Sequence, residues 1–213
     1  MNNKIKIHYS NNKQKTYERF SSYEYPYLSI ISPVDITNVY NWTQKNKISV
    51  YATLSYCVAC SINAIPELKQ RIENEEVFEY NQIAVTFSVL RPDNSFGYSR
   101  IVEFAPENEF INSFNEAKVE VLSNMKVPHE QRNDVIYLTC LPWIRITSLI
   151  NPMSLKYPDT IPRIAWGKIW QDSNRYFCDF SIQVHHALAD GYHLGQFFIQ
   201  LEEESNKHET FML

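Results

Sequence analysis

The chain has 213 residues, of which 44% are hydrophobic, 14% aromatic and 21% charged, with a formal net charge of -4. That apolar content fills one sizeable core, and with no break in composition a single domain over residues 1–213 is expected. The acidic balance lacks the clustered Lys and Arg that nucleic acid or anionic lipid requires, and no apolar run reaches the ~18 residues of a membrane helix, so neither partner is expected. The N-terminal residues carry no apolar signal region, which adds the expectation of a soluble, cytoplasmic protein.

Lys4 to His8 alternates as a short strand, and Lys13 to Phe20 is polar enough for a surface helix. Tyr25 to Val34 reads as extended, and Asp35-Ile36-Thr37 then caps a short helix that ends near Lys47. Tyr51 to Ile65 is an apolar run without Gly or Pro, a buried helix that stops before Pro66. Phe78 to Leu90 and Tyr98 to Phe104 alternate β-branched and aromatic residues around a turn at 91–95, the pattern of a hairpin. A helix is expected over Asn108 to Met125, followed by a polar loop holding Pro128, Glu130 and Asn133. Three strands follow, in Val135 to Ile150, Ile161 to Trp170 and Tyr176 to His186. The final helix, Leu194 to Glu204, places Leu194, Phe197, Phe198 and Leu201 on one face. This mixture without strict alternation predicts an α+β domain, a two-layer sandwich with a mostly mixed or antiparallel sheet.

Cys57, Cys60, Cys140 and Cys178 stand at irregular intervals and give no disulfide framework. The Cys57-x-x-Cys60 pair lies inside the apolar run, where helix packing is the favoured role over redox or zinc chemistry. The four glycines, Gly97, Gly167, Gly191 and Gly195, are too scattered for a phosphate-cradling loop.

The chemistry concentrates in Tyr176 to Gly191. Alternation puts His186 on the strand face of Cys178, Phe180, Ile182 and Val184, and places His185 with Asp179, Ser181 and Gln183. Desolvation at the end of an apolar face favours the neutral imidazole, the form a general base needs. Asp190, four residues on, is expected to hold the turn by hydrogen bonds without taking the proton. Alone, two adjacent histidines at a strand end favour a structural role. Because they point to opposite faces they do not ligate one metal ion, and no metal is expected.

The run Ser181-Ile182-Gln183-Val184-His185-His186-Ala187-Leu188-Ala189-Asp190-Gly191-Tyr192-His193 resembles the active-site signature of the chloramphenicol acetyltransferases. Its shorter core, His-His-x-x-x-Asp-Gly, is shared with dihydrolipoamide acyltransferases and peptide-synthetase condensation domains. Pro142-Trp143, Gly167-Lys168 and Asp35-Ile36-Thr37 match further family segments in the same order. The resemblance implies a cytoplasmic homotrimer with active sites between subunits, acetyl-coenzyme A as co-substrate and a small-molecule hydroxyl acceptor. It assigns the base to His186, a positioning role to Asp190 and an oxyanion donor to Thr139, which stands where the family has serine. It places Tyr51, Trp143 and Lys168 near coenzyme A, and Phe20 and Leu28 near the acceptor.

The departures bear on substrate. Lys13 replaces a family arginine that pairs with the motif aspartate, and a lysine lacks the guanidinium fork. Ala165 replaces a threonine that helps hold water at the oxyanion. The acceptor-pocket positions align without gaps with Arg19, Phe20, Glu24, Pro26 and Leu28, and the two charged residues suit a more polar alcohol or amine. A lipoyl-type acyltransferase is disfavoured because the chain has no lipoyl domain or Ala/Pro-rich linker, whereas a trimeric binding protein that lost turnover is the competing expectation.

Overall fold

The longest strand organises the chain. In the computed structural model, which describes residues 3–123, 131–154 and 159–208, β10 (Arg175–His185) pairs antiparallel with β2 (Tyr27–Asp35), from Phe177 opposite Asp35 to His185 opposite Tyr27. Its other edge pairs with β8 (Arg163–Trp166) and, nearer its start, with β9 (Trp170–Asp172). The sheet continues through β7 (Val135–Cys140), β5 (Ala84–Leu90) and β6 (Phe96–Tyr98), in the order β2-β10-β8-β7-β5-β6. β5, β7 and β8 are mutually parallel and the other pairings antiparallel, which gives the mixed sheet that the sequence predicts.

Helices cover one face. α2 (Thr37–Asn46), α3 (Val50–Ala64), α4 (Glu107–Leu122) and α5 (Gly191–Asn206) build the core with the sheet residues that alternation turns towards them. Leu54, Val58 and Ile62 of α3, Phe110 and Phe114 of α4, and Leu194, Phe197 and Leu201 of α5 meet Phe87, Leu138, Ile164, Phe180 and Ile182. Cys57 is buried and Cys60 half-buried within α3, both free thiols, so the pair serves helix packing. α1 (Asn11–Ser21) has no buried residue and lies on the surface, as its polarity predicts.

The opposite face carries Thr139, Ala165, Asp179, Ser181, Gln183 and His185, and the chain after β7 folds back over part of it. Asn151 N–H donates to Gln183 Oε1 at 2.8 Å, and Ser29 Oγ donates to the Leu149 carbonyl at 3.1 Å. β10 is therefore buried on both faces, and its polar residues are enclosed instead of solvated.

Several expected elements differ in extent. Phe78 to Leu90 is two strands in two sheets, because residues 81–83 interrupt it: β4 (Glu76–Tyr80) joins β1 (Lys4–Lys6) and β3 (Gln70–Glu73) in a separate three-stranded sheet. The hairpin with its turn at 91–95 is present, but its return strand is β6 alone, and Val102 adds only an isolated bridge to Val85. The run 135–150 is strand only to Cys140, since Pro142 has no N–H for a ladder and starts the covering segment. The run 161–170 breaks after Trp166, where Gly167 lets the chain pass close: a Cβ there would meet the Ile144 carbonyl at 2.7 Å. The loop expected at Pro128 and Glu130 lies outside the described residues.

Arg71 on β3 joins the small sheet to the large one. Its guanidinium is fully buried and donates to the carbonyls of Leu68, Gln70, Asn133 and Val135 at 2.7–3.0 Å. Burial pushes its pKa down to about 10. Arg71→Ala leaves those carbonyls without donors and should lower the unfolding free energy by about 3 kcal/mol in urea titrations; a loss below about 1 kcal/mol would contradict this role.

Candidate active site

β10 ends at His185, and the chain turns through His186-Ala187-Leu188-Ala189 into α5. Several contacts hold that turn. His186 N–H donates to the Pro26 carbonyl at 2.7 Å, Leu188 N–H to the His185 carbonyl at 3.0 Å, and Asp190 Oδ1 accepts from Tyr192 N–H at 3.0 Å as the N-cap of α5. Burial disfavours charge on Asp190, but His193, with Nδ1 at 2.9 Å, and the N–H groups of α5 outweigh it and hold the carboxyl below its ordinary pKa. Lys13 reaches the same turn, where its Nζ donates to the Leu188 carbonyl at 3.0 Å.

The two histidines occupy different surroundings, and the contrast is the reverse of that expected from alternation. His186 falls just beyond the strand and is half-buried, whereas His185 is 4% exposed and sits edge-on to Tyr27 at 5.6 Å. Burial drives the His185 pKa down to about 4. Alternation ceases to predict direction once the strand ends, and the loop over the other face was not visible in the pattern.

His186 is oriented by two contacts. Phe20 of α1 stacks on its ring, with centroids 4.0 Å apart at 30°. Its Nδ1 lies 3.1 Å from the Ala189 carbonyl. A carbonyl only accepts, so in the neutral ring this contact selects the tautomer with the proton on Nδ1 and the lone pair on Nε2. Leu28 stands opposite Val184 one strand away, and the Pro26 carbonyl accepts from the His186 backbone N–H, so of these three residues Phe20 is the one whose side chain stacks on the imidazole. Arg19 and Glu24 are exposed, with Arg19 Nε donating to Tyr23 Oη at 3.2 Å.

Thr139 lies elsewhere. It belongs to the cross-strand row Thr139, Ala165, Ser181. His186 follows Ser181 by five residues, so strand rise and spacing separate it from Thr139 by about 17 Å along the sheet and about 10 Å across it. Ser88 Oγ of β5 donates to Thr139 Oγ1 at 3.2 Å, leaving the threonine hydroxyl proton available. Ser88 was not singled out in the sequence, because its adjacency depends on the parallel register of β5 and β7.

Ser88 also lines a cleft of about 600 Å³ at this end of the sheet. Tyr51, Leu54, Cys140 and Trp166 form its apolar floor, and Trp143 and Lys168 stand at it, so Tyr51, Trp143 and Lys168 line one cleft. Tyr51 donates to the Ser88 carbonyl at 3.3 Å, and burial raises its pKa. Trp143 is 62% exposed. Asp179 steadies this rim: its carboxylate accepts from Arg145 Nε at 3.0 Å and Trp170 Nε1 at 3.3 Å, while the Arg145 guanidinium lies 3.9 Å over the Trp170 ring.

A solved chloramphenicol acetyltransferase superposes with a TM-score of 0.83 at 19% identity, covering 94% of this chain and 99% of that one. The dihydrolipoamide acetyltransferase of Azotobacter vinelandii superposes with a TM-score of 0.70 at 13% identity, covering 94% and 91%. The fold is that of these acyltransferases. The family model described as chloramphenicol acetyltransferase matches residues 1–202. Curated relatives of that name include those of Clostridium perfringens, 25% identical over 194 residues (86% of each chain), and Bacillus pumilus, 27% identical over 176 residues (79% of this chain and 78% of the relative). The chain belongs to the chloramphenicol acetyltransferase family and is an acyltransferase. No described helix is long and apolar enough to cross a membrane, and no metal-ligating cluster occurs among the described residues.

The buried His185 ties stability to pH. Its folded pKa of about 4 lies below the unfolded value of 6.5, so between those values the unfolded chain binds the extra proton. Its contribution is complete above about pH 6.5 and is lost as pH falls towards 4, on the order of 3 kcal/mol in all. Denaturant titrations at pH 7 and pH 4.5 should show His185→Gln losing less stability than the parent over that interval; equal losses would contradict the assignment.

Proposed function

We propose that this chain is a single catalytic domain that transfers the acetyl group of acetyl-coenzyme A to a hydroxyl of a small molecule, with His186 as general base. The observation that carries the reading is the Nδ1 contact to the Ala189 carbonyl, which in the neutral ring selects the tautomer whose Nε2 lone pair can accept a proton. Nε2 takes the acceptor's hydroxyl proton as the oxygen bonds to the thioester carbonyl carbon. The Thr139 hydroxyl donates to the oxyanion that develops, and Nε2–H returns its proton to sulfur as the C–S bond breaks. Asp190 acts through α5, whose capped end closes the turn that holds the imidazole.

The cleft suits the acyl donor: a long apolar floor for the pantetheine arm, the Trp143 indole as a wall and Lys168 for phosphate. Within one chain, His186 and Thr139 stand too far apart to share a substrate, a separation that supports a homotrimer in which the two come from neighbouring copies. On the acceptor side, Phe20 supplies apolar surface against His186 and Leu28 lies one strand over, opposite Val184, while exposed Arg19 and Glu24 favour an acceptor more polar than chloramphenicol.

Release of free thiol from acetyl-coenzyme A in the presence of candidate alcohols tests the reading. His186→Ala should lower kcat by about 10³-fold or more, and His185→Gln should retain most of it. Full turnover by His186→Ala would remove His186 as the base, and coenzyme A binding without thiol release for any acceptor would favour a binding protein.

A further inference from the structure

Lys168 is not the only cation of the cleft. Lys118, on α4, lines it from the β5 side of β7, whereas Lys168 stands on the β8 side. No Asp or Glu lines the cleft among the described residues. The carboxylates nearest to Lys118 along α4, Glu116 and Glu120, are turned to Arg100 at 3.4 and 3.2 Å. Neither lysine forms an ion pair among the described residues. Burial pushes the Cys140 thiol up to about 12, with the Lys118 ammonium working against it, so the charge reaches the cleft floor.

Two uncompensated ammonium groups beside an apolar floor favour a ligand that is itself anionic where they stand, because phosphate oxygens replace the water that each cation gives up. A thioester on bare pantetheine offers no such charge; coenzyme A offers a 5′-diphosphate and a 3′-phosphate. We infer that Lys118 is a phosphate anchor for the acyl donor, working with Lys168, and that it makes the enzyme select donors carrying the nucleotide phosphates over phosphate-free pantetheine thioesters. This rests on the cleft being the acetyl-coenzyme A site.

Steady-state kinetics of the full chain, Lys118→Ala and Lys118→Arg, with acetyl-coenzyme A, acetyl-dephospho-coenzyme A and S-acetylpantetheine as donors, test it. Lys118→Ala should raise KM for acetyl-coenzyme A about tenfold with kcat within about twofold, Lys118→Arg should restore most of the affinity, and KM for S-acetylpantetheine should not change. If the gap between parent and Lys118→Ala closes with the dephospho donor, the contact is to the 3′-phosphate; if it persists, the contact is to the diphosphate. Parent-like KM for acetyl-coenzyme A in Lys118→Ala, or an equal rise with S-acetylpantetheine, would overturn the inference while leaving the proposed reaction standing. A parent protein that neither transfers acetyl groups nor binds coenzyme A by calorimetry would overturn the proposed function and this inference together.

Discussion

Everything in the site hangs from a central strand paired on both edges and buried on both faces. β10 is locked to β2 and β8, and a slip of one residue would drive Phe180, Ile182 and Val184 out of the helix-side core and Ser181 and Gln183 into it. The strand therefore delivers its C-terminal end to one place. There the turn adds local bonds to Pro26 and Ala189, and the Asp190 cap starts α5 at once. The imidazole of His186 is held by one backbone contact, to the Ala189 carbonyl, and one side-chain contact, the Phe20 ring stacked on it.

The same sheet explains why one chain holds two incomplete halves of the proposed chemistry. β7 and β8 run parallel and end together, and the loops that leave them, Pro142-Trp143 and Gly167-Lys168, wall the cleft. β10 runs the opposite way, so its His186 emerges at the far end of the sheet. Closing the gap within one chain would require tearing the sheet. Bringing a second copy alongside requires only a complementary surface.

Much of this was legible from residues. α1, α3 and α5 follow from their polarity and 3.6-residue spacing, and the segment Ser181 to His193 carries both the resemblance and the catalytic hypothesis. What escaped reading was non-local. The division of 78–90 between two sheets depends on β1 and β3, and the burial of Asp179, Ser181, Gln183 and His185 depends on a covering loop dozens of residues away in sequence. The deep burial of His185 beside a half-buried His186 was hidden for that reason: strand alternation describes faces, but only tertiary packing says which faces are covered. Ser88 beside Thr139, and Asp179 with Arg145 and Trp170, likewise depend on register between strands distant in the chain.

The central claim is that His186 and Thr139 act together across copies. Mixing His186→Ala and Thr139→Val proteins by co-expression or by unfolding and refolding tests it most directly. Each variant alone should be reduced about 10²-fold or more in kcat. If the site is shared between copies, an equal mixture should regain about a quarter of the parent activity, because that fraction of interfaces pairs an intact His186 with an intact Thr139. A mixture no more active than the average of its two components would place both groups in one chain's site, or show that they do not act together, and would contradict the account.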